Sequence, residues 1–229
     1  MMNTRTLVAI ATLVAAPALG AQQKPDITPY LIADRAAEVA LARTAAPSDV
    51  SAKATVLVLT AKGYVEAEHG TNGFTCAVMR SFAGTPGDPQ FWNPHLSAPE
   101  CFNPPAARTV LPTALAQVKW ALSGATPAEM TARRNKGYAA KRFTMPAPGA
   151  LVYMLSPRQY LSDTDPHWMP HLMFYYDRAL KGAIFGAGGM TAPVIDATAG
   201  DPNSPLQVIF VPVRSWSDGT PAVHAASGN

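Results

Sequence analysis

Hydrophobic and polar residues along the N-terminal half of this chain follow the patterns of strands. Three segments predict strands, at 55–60, 64–68 and 74–80. The first is apolar throughout, which is typical of a strand buried on both faces. Asn72-Gly73 is a strong turn signal between the second and third segments. We therefore expect the three strands to form an antiparallel meander.

Other segments have the spacing of helices, and they are 28–44, 111–122 and 126–140. Thr28-Pro29 is typical of an N-cap followed by the first helical residue. Gly124 is suited to the position just after the second helix. Thr126-Pro-Ala-Glu129 matches a capping box with Pro at the first helical position, which indicates where the third helix begins.

The C-terminal half returns to strand-like segments, at 151–155, 172–176 and 206–213. Pro212 indicates an edge or a strand end. Strands on both sides of a helical insertion predict an α+β fold rather than a parallel doubly wound sheet. We expect a mainly antiparallel sheet of about five or six strands, covered by the N-terminal helix and the two-helix insertion. This order is compatible with a PAS, Cache or profilin-like arrangement.

The N-terminus has the pattern of a bacterial secretory signal peptide, residues 1–20. Arg5 precedes an apolar run, and the small residues Ala18 and Gly20 favour cleavage after Gly20. The run is shorter than the roughly 20 residues that a transmembrane helix needs. We therefore expect a mature chain in the periplasm or outside the cell, with no transmembrane segment.

Chain length and net charge further limit the possible domain organisation and the possible partners. We expect residues 21–216 to form a single globular domain, long enough to bury a substantial core, and residues 217–229 to form a mobile tail. The formal net charge is +3 and charged residues make up 14% of the chain. No basic cluster has the density that nucleic-acid binding requires, so we expect no nucleic-acid partner.

Two cysteines, Cys76 and Cys101, are present. An even number of cysteines in an exported protein predicts a disulfide bond. The alternative is a thiol nucleophile activated by His69 or His95. The segment between the cysteines is rich in Pro and Gly, and we expect it to form a lid-like loop. Glu100, next to Cys101, is either functional or simply exposed.

The densest polar cluster lies in residues 162–171. It contains two acids and two imidazoles, Asp163, Asp165, His167 and His171. Pro166 and Pro170 disfavour a helix, which is the geometry that would bring both imidazoles to one metal ion. In an extended strand they would lie about 13 Å apart, too far to share a zinc ion. The four residues are weak candidates for a metal site, and the sequence predicts no cofactor.

Treated as a strand, the same region predicts a binding face. His167, Met169, His171, Met173 and Tyr175 would share one face. Such a soft, amphipathic face either lines a ligand pocket or is covered by helices with its histidines hydrogen-bonded. The other face, which includes Leu172, Phe174 and Tyr176, would then be core.

The sequence favours an exported, non-enzymatic domain that binds a small molecule or an envelope protein. The candidate ligand-binding residues are His167, His171, Met173, Tyr175 and, in the loop, Trp92. A metal-assisted hydrolase that uses the 163–171 region is one alternative. A structural envelope protein is the other. The chain contains no Gly-x-Ser-x-Gly elbow and no phosphate-binding glycine motif.

Overall fold

The structure, a computed structural model, describes residues 26–197 and 201–222. Within these residues the chain has an α+β fold with an eight-stranded mixed sheet. The predicted signal peptide and the last part of the predicted tail, 223–229, lie outside the described residues. In the described part of the chain, no helix combines the length and the apolar character needed to cross a membrane.

The α-helices are α1 Arg35–Arg43, α2 Ser48–Ser51, α3 Pro104–Thr109, α4 Leu111–Leu122 and α5 Pro127–Ala139. The strands are β1 Thr55–Thr60, β2 Gly63–Glu68, β3 Thr75–Arg80, β4 Ser97–Phe102, β5 Leu151–Met154, β6 His171–Asp177, β7 Ile195–Asp196 and β8 Leu206–Pro212. Short 3₁₀ turns lie at Thr28–Tyr30, Ser81–Ala83, Arg178–Leu180 and Gly182–Phe185.

The sheet order is β2-β1-β3-β4-β5-β6-β8-β7, with β1 and β3 parallel and every other pair antiparallel. The predicted meander is therefore wrong: β3 pairs with β1, not with β2. The connection from β2 to β3 passes close to the start of β1. A Cβ on Gly70 would lie 2.1 Å from the backbone nitrogen of Thr55, so this crossing requires glycine.

The sheet has eight strands, whereas about five or six were expected from the sequence. Strand β4 begins inside the segment between the cysteines, which was predicted as a loop because it is rich in Pro and Gly. Pro99 is accommodated opposite Val78 in the β3–β4 pair. Strand β7 has two residues, too few for a pattern.

The helical predictions were correct for the insertion and partly wrong at the N-terminus. Helices α4 and α5 have the predicted bounds to within a residue, and the capping box of Thr126 and Glu129 is formed. The predicted 28–44 helix is instead a 3₁₀ turn followed by α1. Helix α1 begins after Asp34, whose carboxylate accepts hydrogen bonds from the next turn. This carboxylate is the stronger N-cap signal.

The sheet has a different cover on each face. Helix α1 packs on one face, here called the α1 face, against side chains of β1, β3 and β4. Helices α3 and α4 pack on the other, here called the α4 face. Met173 and Tyr175 of β6 belong to the α4 face, whereas Leu172, Phe174 and Tyr176, expected in the core, stay partly exposed.

The start of the predicted tail is hydrogen-bonded. The Ser217 amide donates to the carbonyl of Leu155 at 2.8 Å, and Trp216 pairs with Thr220 at 2.9 Å. The Ser217 bond joins this segment to the residue that follows β5, and the mobile tail at 217–229 stays a prediction.

Candidate functional site

The α4 face borders a half-open cavity of about 330 Å³. It lies between the sheet, helix α4 and the connection from β3 to β4. Its apolar lining includes Met79, Phe102, Met154, Met173 and Phe210. A smaller chamber of about 200 Å³ adjoins it and shares Val110, Ala114, Tyr175 and Val208. This face of the sheet is therefore incompletely filled, in contrast to a close-packed core.

A single residue of β4 brings a carboxylate to this cavity. Glu100 lies opposite Ala77 in the β3–β4 pair and borders the cavity. Among the described residues, no hydrogen bond or ion pair reaches its carboxylate. Burial raises the pKa of Glu100 to about 8, because the surrounding protein disfavours the charged form. The side chain keeps partial exposure because it borders open space.

The orientation of Glu100 follows from strand alternation and from the disulfide bond. The structure contains the predicted Cys76–Cys101 disulfide, and the two cysteines are direct cross-strand partners. Cys101 belongs to the α1 face, so its neighbour Glu100 must belong to the α4 face. A slip of one residue would invert both positions. The disulfide therefore fixes the register that places Glu100 at the cavity.

A second unsatisfied polar group borders the same space. Ser81 is buried in the 3₁₀ turn after β3, and within the described part of the chain its Oγ has no hydrogen-bond partner. Ser81 is also among the residues that border the cavity. Buried hydroxyl groups are nearly always paired. The Ser81 Oγ itself has almost no accessible surface, so Glu100 is the polar side chain that borders the cavity without a partner in the described chain.

Two tyrosines interact electrostatically with Glu100. The Tyr175 hydroxyl donates weakly to the Met173 sulfur at 3.7 Å, and the Tyr64 hydroxyl donates to the Val78 carbonyl at 2.6 Å. Burial raises the pKa of both phenols, and the charge of Glu100 raises them further. Both hydroxyls therefore stay protonated near neutral pH.

The arginines at the cavity are already paired. Arg80 borders it and forms a buried ion pair with Glu38 of α1 at 2.9 Å. Arg134 lines the smaller chamber and is paired with Asp201. Neither guanidinium neutralises Glu100, and both are occupied by carboxylates of the protein.

The sequence-predicted residues of β6 divide into two groups. Met173 and Tyr175 line the cavity, and their role in binding a ligand stays a prediction. His171 is buried between the rings of Trp168 and Phe210, at centroid distances of 4.6 and 4.7 Å. Its Nδ1 lies 2.9 Å from the carbonyl of Met169. Burial lowers the pKa of His171 to about 4, so the imidazole is neutral and serves packing.

Trp92 lies apart from the cavity lining. It packs against Phe82 and Phe91, and its carbonyl accepts a hydrogen bond from the Tyr30 hydroxyl at 2.7 Å. This aromatic cluster anchors the connection between β3 and β4. Other residues of the connection, Thr85 among them, line the cavity.

The acids and imidazoles of the 163–171 region do not converge. Asp163 is exposed and accepts from Asn93 and Tyr160, with His95 Nδ1 at 3.3 Å. These hydrogen bonds lower the pKa of Asp163. Asp165 and His167 are also exposed, whereas His171 is buried. Across residues 26–197 and 201–222, no three His, Cys, Asp or Glu side chains are grouped closely enough to hold a metal ion.

Sequence reasoning did not select Ser81, and it left Glu100 undecided. A signal for Glu100 was present, because Ala98, Glu100 and Phe102 alternate with Pro99 and Cys101. Because prolines surround this segment, the sequence did not predict a strand there. Without a predicted strand, Glu100 could not be assigned to either face of the sheet. Ser81 carries no comparable signal, since its burial depends on the tertiary packing of the turn.

Comparison with known proteins gives no relative from which to transfer a role. No family model, curated protein or solved structure matches this chain. The PAS, Cache or profilin-like arrangement stays a prediction.

Proposed function

We propose that this protein is an exported small-molecule-binding protein whose ligand occupies the cavity of the α4 face. The observation that carries the proposal is an apolar cavity bordered by the Glu100 carboxylate, which has no hydrogen-bond or ion-pair partner within residues 26–197 and 201–222. Ligand sites combine a mostly apolar lining with a few convergent polar groups in this way.

The size of the cavity suits a compact ligand. An apolar cavity of roughly 150 Å³ is enough to bind benzene. The larger chamber, at about 330 Å³, has room for a molecule with about twice as many heavy atoms. The smaller chamber extends the available space toward Arg134.

A path to solvent supports the proposal. A third opening shares Ser81, Gly84 and Leu96 with the cavity and is bordered by Asp88. Gly84 and Asp88 are exposed. A ligand can therefore enter beneath the connection between β3 and β4 without opening the sheet.

The disulfide and the N-terminal pattern support export. A disulfide is favoured in the periplasm and outside the cell, and the sequence begins with a signal-peptide pattern. Native mass spectrometry of protein secreted by a bacterial host tests this part. We expect a mature N-terminus at Ala21, whereas retention of the full chain in the cytoplasm contradicts it.

Filling the cavity tests the binding site directly. The probe is 2-phenylethanol, and its binding is followed by titration in ¹H–¹⁵N NMR spectra of the labelled protein. We expect saturable shifts that cluster around α4, β6 and Gly84, and loss of those shifts in Ala114→Leu, because Ala114 lines both chambers.

Ala116→Leu is the matched control on the same helix, since Ala116 is equally half-buried but is absent from the cavity lining. It should bind like the wild type. Binding that persists unchanged in folded Ala114→Leu protein, or no saturable binding to the wild type, contradicts the proposal.

A further inference from the structure

We infer that the ligand carries a protonated amine, and that the Glu100 carboxylate binds this ammonium group inside the cavity. The inference rests on the proposed function and adds the chemical class of the ligand. It starts from the charges that border the cavity.

Among the described residues, the cavity offers no unpaired positive charge to an acidic ligand. Arg80 and Arg134 border the two chambers, but each is paired with a carboxylate of the protein. Glu100 has no such partner within the described residues. Among the described residues, a carboxylate or phosphate ligand would find no unpaired cation there, whereas an ammonium group would ionise Glu100 and supply its missing partner.

The geometry around Glu100 favours a cation over a neutral donor. In a cavity with apolar walls, a charge-assisted hydrogen bond is about twice as strong as a neutral one. The aromatic side chains of Phe102, Tyr175 and Phe210 line the same space, and aromatic faces attract ammonium groups.

The remaining titratable groups leave Glu100 as the one that changes charge on binding. The phenols of Tyr64 and Tyr175 stay neutral because burial raises their pKa. Arg80 and Arg134 keep their carboxylate partners, Glu38 and Asp201. With its pKa raised to about 8, Glu100 is protonated in the free protein at pH 7. Binding an ammonium ion ionises it, so close to one proton passes to the buffer.

Three probes of similar size test the inference: 2-phenylethylamine, 2-phenylethanol and phenylacetate, titrated calorimetrically at pH 7 in two buffers of different ionisation enthalpy. We expect the amine to bind about ten- to hundred-fold more tightly than the alcohol, with release of close to one proton. The alcohol should bind without proton release, and phenylacetate should bind more weakly than the alcohol.

Glu100→Gln should remove the amine preference and the proton release while alcohol binding remains. Glu66→Gln is the matched control, because Glu66 is exposed on β2 and should leave all three affinities unchanged. Glu100→Leu provides a second variant that removes the carboxylate, so that the conclusion does not depend on the amide.

The outcomes separate this inference from the proposed function. Equal affinity for amine and alcohol in the wild type, or an amine preference that survives in Glu100→Gln or in Ala114→Leu, overturns the inference and leaves the cavity as the alcohol site. Failure of all three probes to bind the wild type overturns the proposed function itself.

Discussion

The two faces of the sheet differ in whether a buried carboxylate has a partner in the described chain. On the α1 face, Arg80 and Glu38 are almost fully buried and satisfy each other. The Arg80 Nε also donates to the Tyr30 carbonyl at 2.8 Å, and Glu38 accepts from the Leu59 amide at 3.2 Å. On the α4 face, Glu100 lies beside a cavity and has no such partner in the described chain.

The contrast arises between neighbouring residues of the same strands. Val78 and Met79 of β3 belong to opposite faces, as do Cys101 and Glu100 of β4. Local composition therefore cannot explain the difference. One face is closed by a helix packed on small and branched side chains, and it contributes stability. The other is left partly open, which costs stability and leaves space for the proposed ligand.

The largest expected effect comes from breaking the buried pair of the α1 face. Arg80→Met should lower the free energy of unfolding by about 3–5 kcal/mol, because it leaves the Glu38 carboxylate buried without its guanidinium. Urea denaturation at pH 7 measures the loss. Glu68→Gln is the control, since its pair with Arg43 is partly exposed and should be worth less than about 1 kcal/mol. Equal losses in both variants would contradict the assignment.

The disulfide is the next largest contribution. Replacing both Cys76 and Cys101 by Ala should lower the free energy of unfolding by roughly 3 kcal/mol, from the loop-closure entropy of a 25-residue separation. Urea denaturation measures this loss, and wild-type protein treated with a thiol reductant should show a similar one. A loss below about 1 kcal/mol in both would show that strand pairing alone constrains this loop.

On the α4 face, removing the charge of Glu100 should stabilise the protein at alkaline pH. The pKa of Glu100 is about 8 in the folded protein, against an ordinary value of 4.5. The folded state thus holds its proton longer than the unfolded state. Stability is fully present below pH 4.5 and falls as the pH rises to about 8, by at most about 1.4 kcal/mol per pH unit.

Glu100→Gln should flatten this part of the stability profile, measured by urea denaturation between pH 5 and 9. Glu66→Gln should follow the wild type, because its side chain is exposed. A Glu100→Gln profile parallel to that of the wild type would show that the Glu100 carboxylate is solvated, and the contrast between the two faces would disappear.

The features that could be predicted from the sequence also differ between regions of the molecule. Helices α4 and α5 were predictable because capping residues and helical spacing are local signals, complete within Thr126–Glu129 for the start of α5. The disulfide followed from the cysteine count. The parallel pairing of β1 and β3 was not predictable, because it depends on where the 69–74 connection takes the chain rather than on any pattern inside the strands.

The candidate site was half predictable. Alternation correctly grouped Met173 with Tyr175, but it also included His171, which the rings of Trp168 and Phe210 enclose. Whether a side chain on a helix-covered face meets a ring or a cavity is decided by packing between distant segments. The same holds for Glu100, whose environment is formed by β3, β6 and α4 together.

The smallest expected effect is that of His171, which packs against two rings on the α4 face and does not line the cavity. The pKa of His171 is about 4 in the folded protein, against an ordinary value of 6.5. The stability that depends on the neutral imidazole is present above pH 6.5 and is lost as the pH falls toward 4, by at most about 1.4 kcal/mol per unit. This shift is smaller than that of Glu100, and it runs in the opposite direction along the pH axis.

His171→Gln should flatten the acid side of the stability profile, and His167→Gln should not, because His167 is exposed. Urea denaturation between pH 4 and 7 measures both. In the calorimetric titrations at pH 7, folded His171→Gln protein should retain the preference for 2-phenylethylamine, since His171 contacts aromatic rings rather than the cavity. Loss of that preference would move the ligand site toward His171, and the boundary drawn between packing and binding on this face would be wrong.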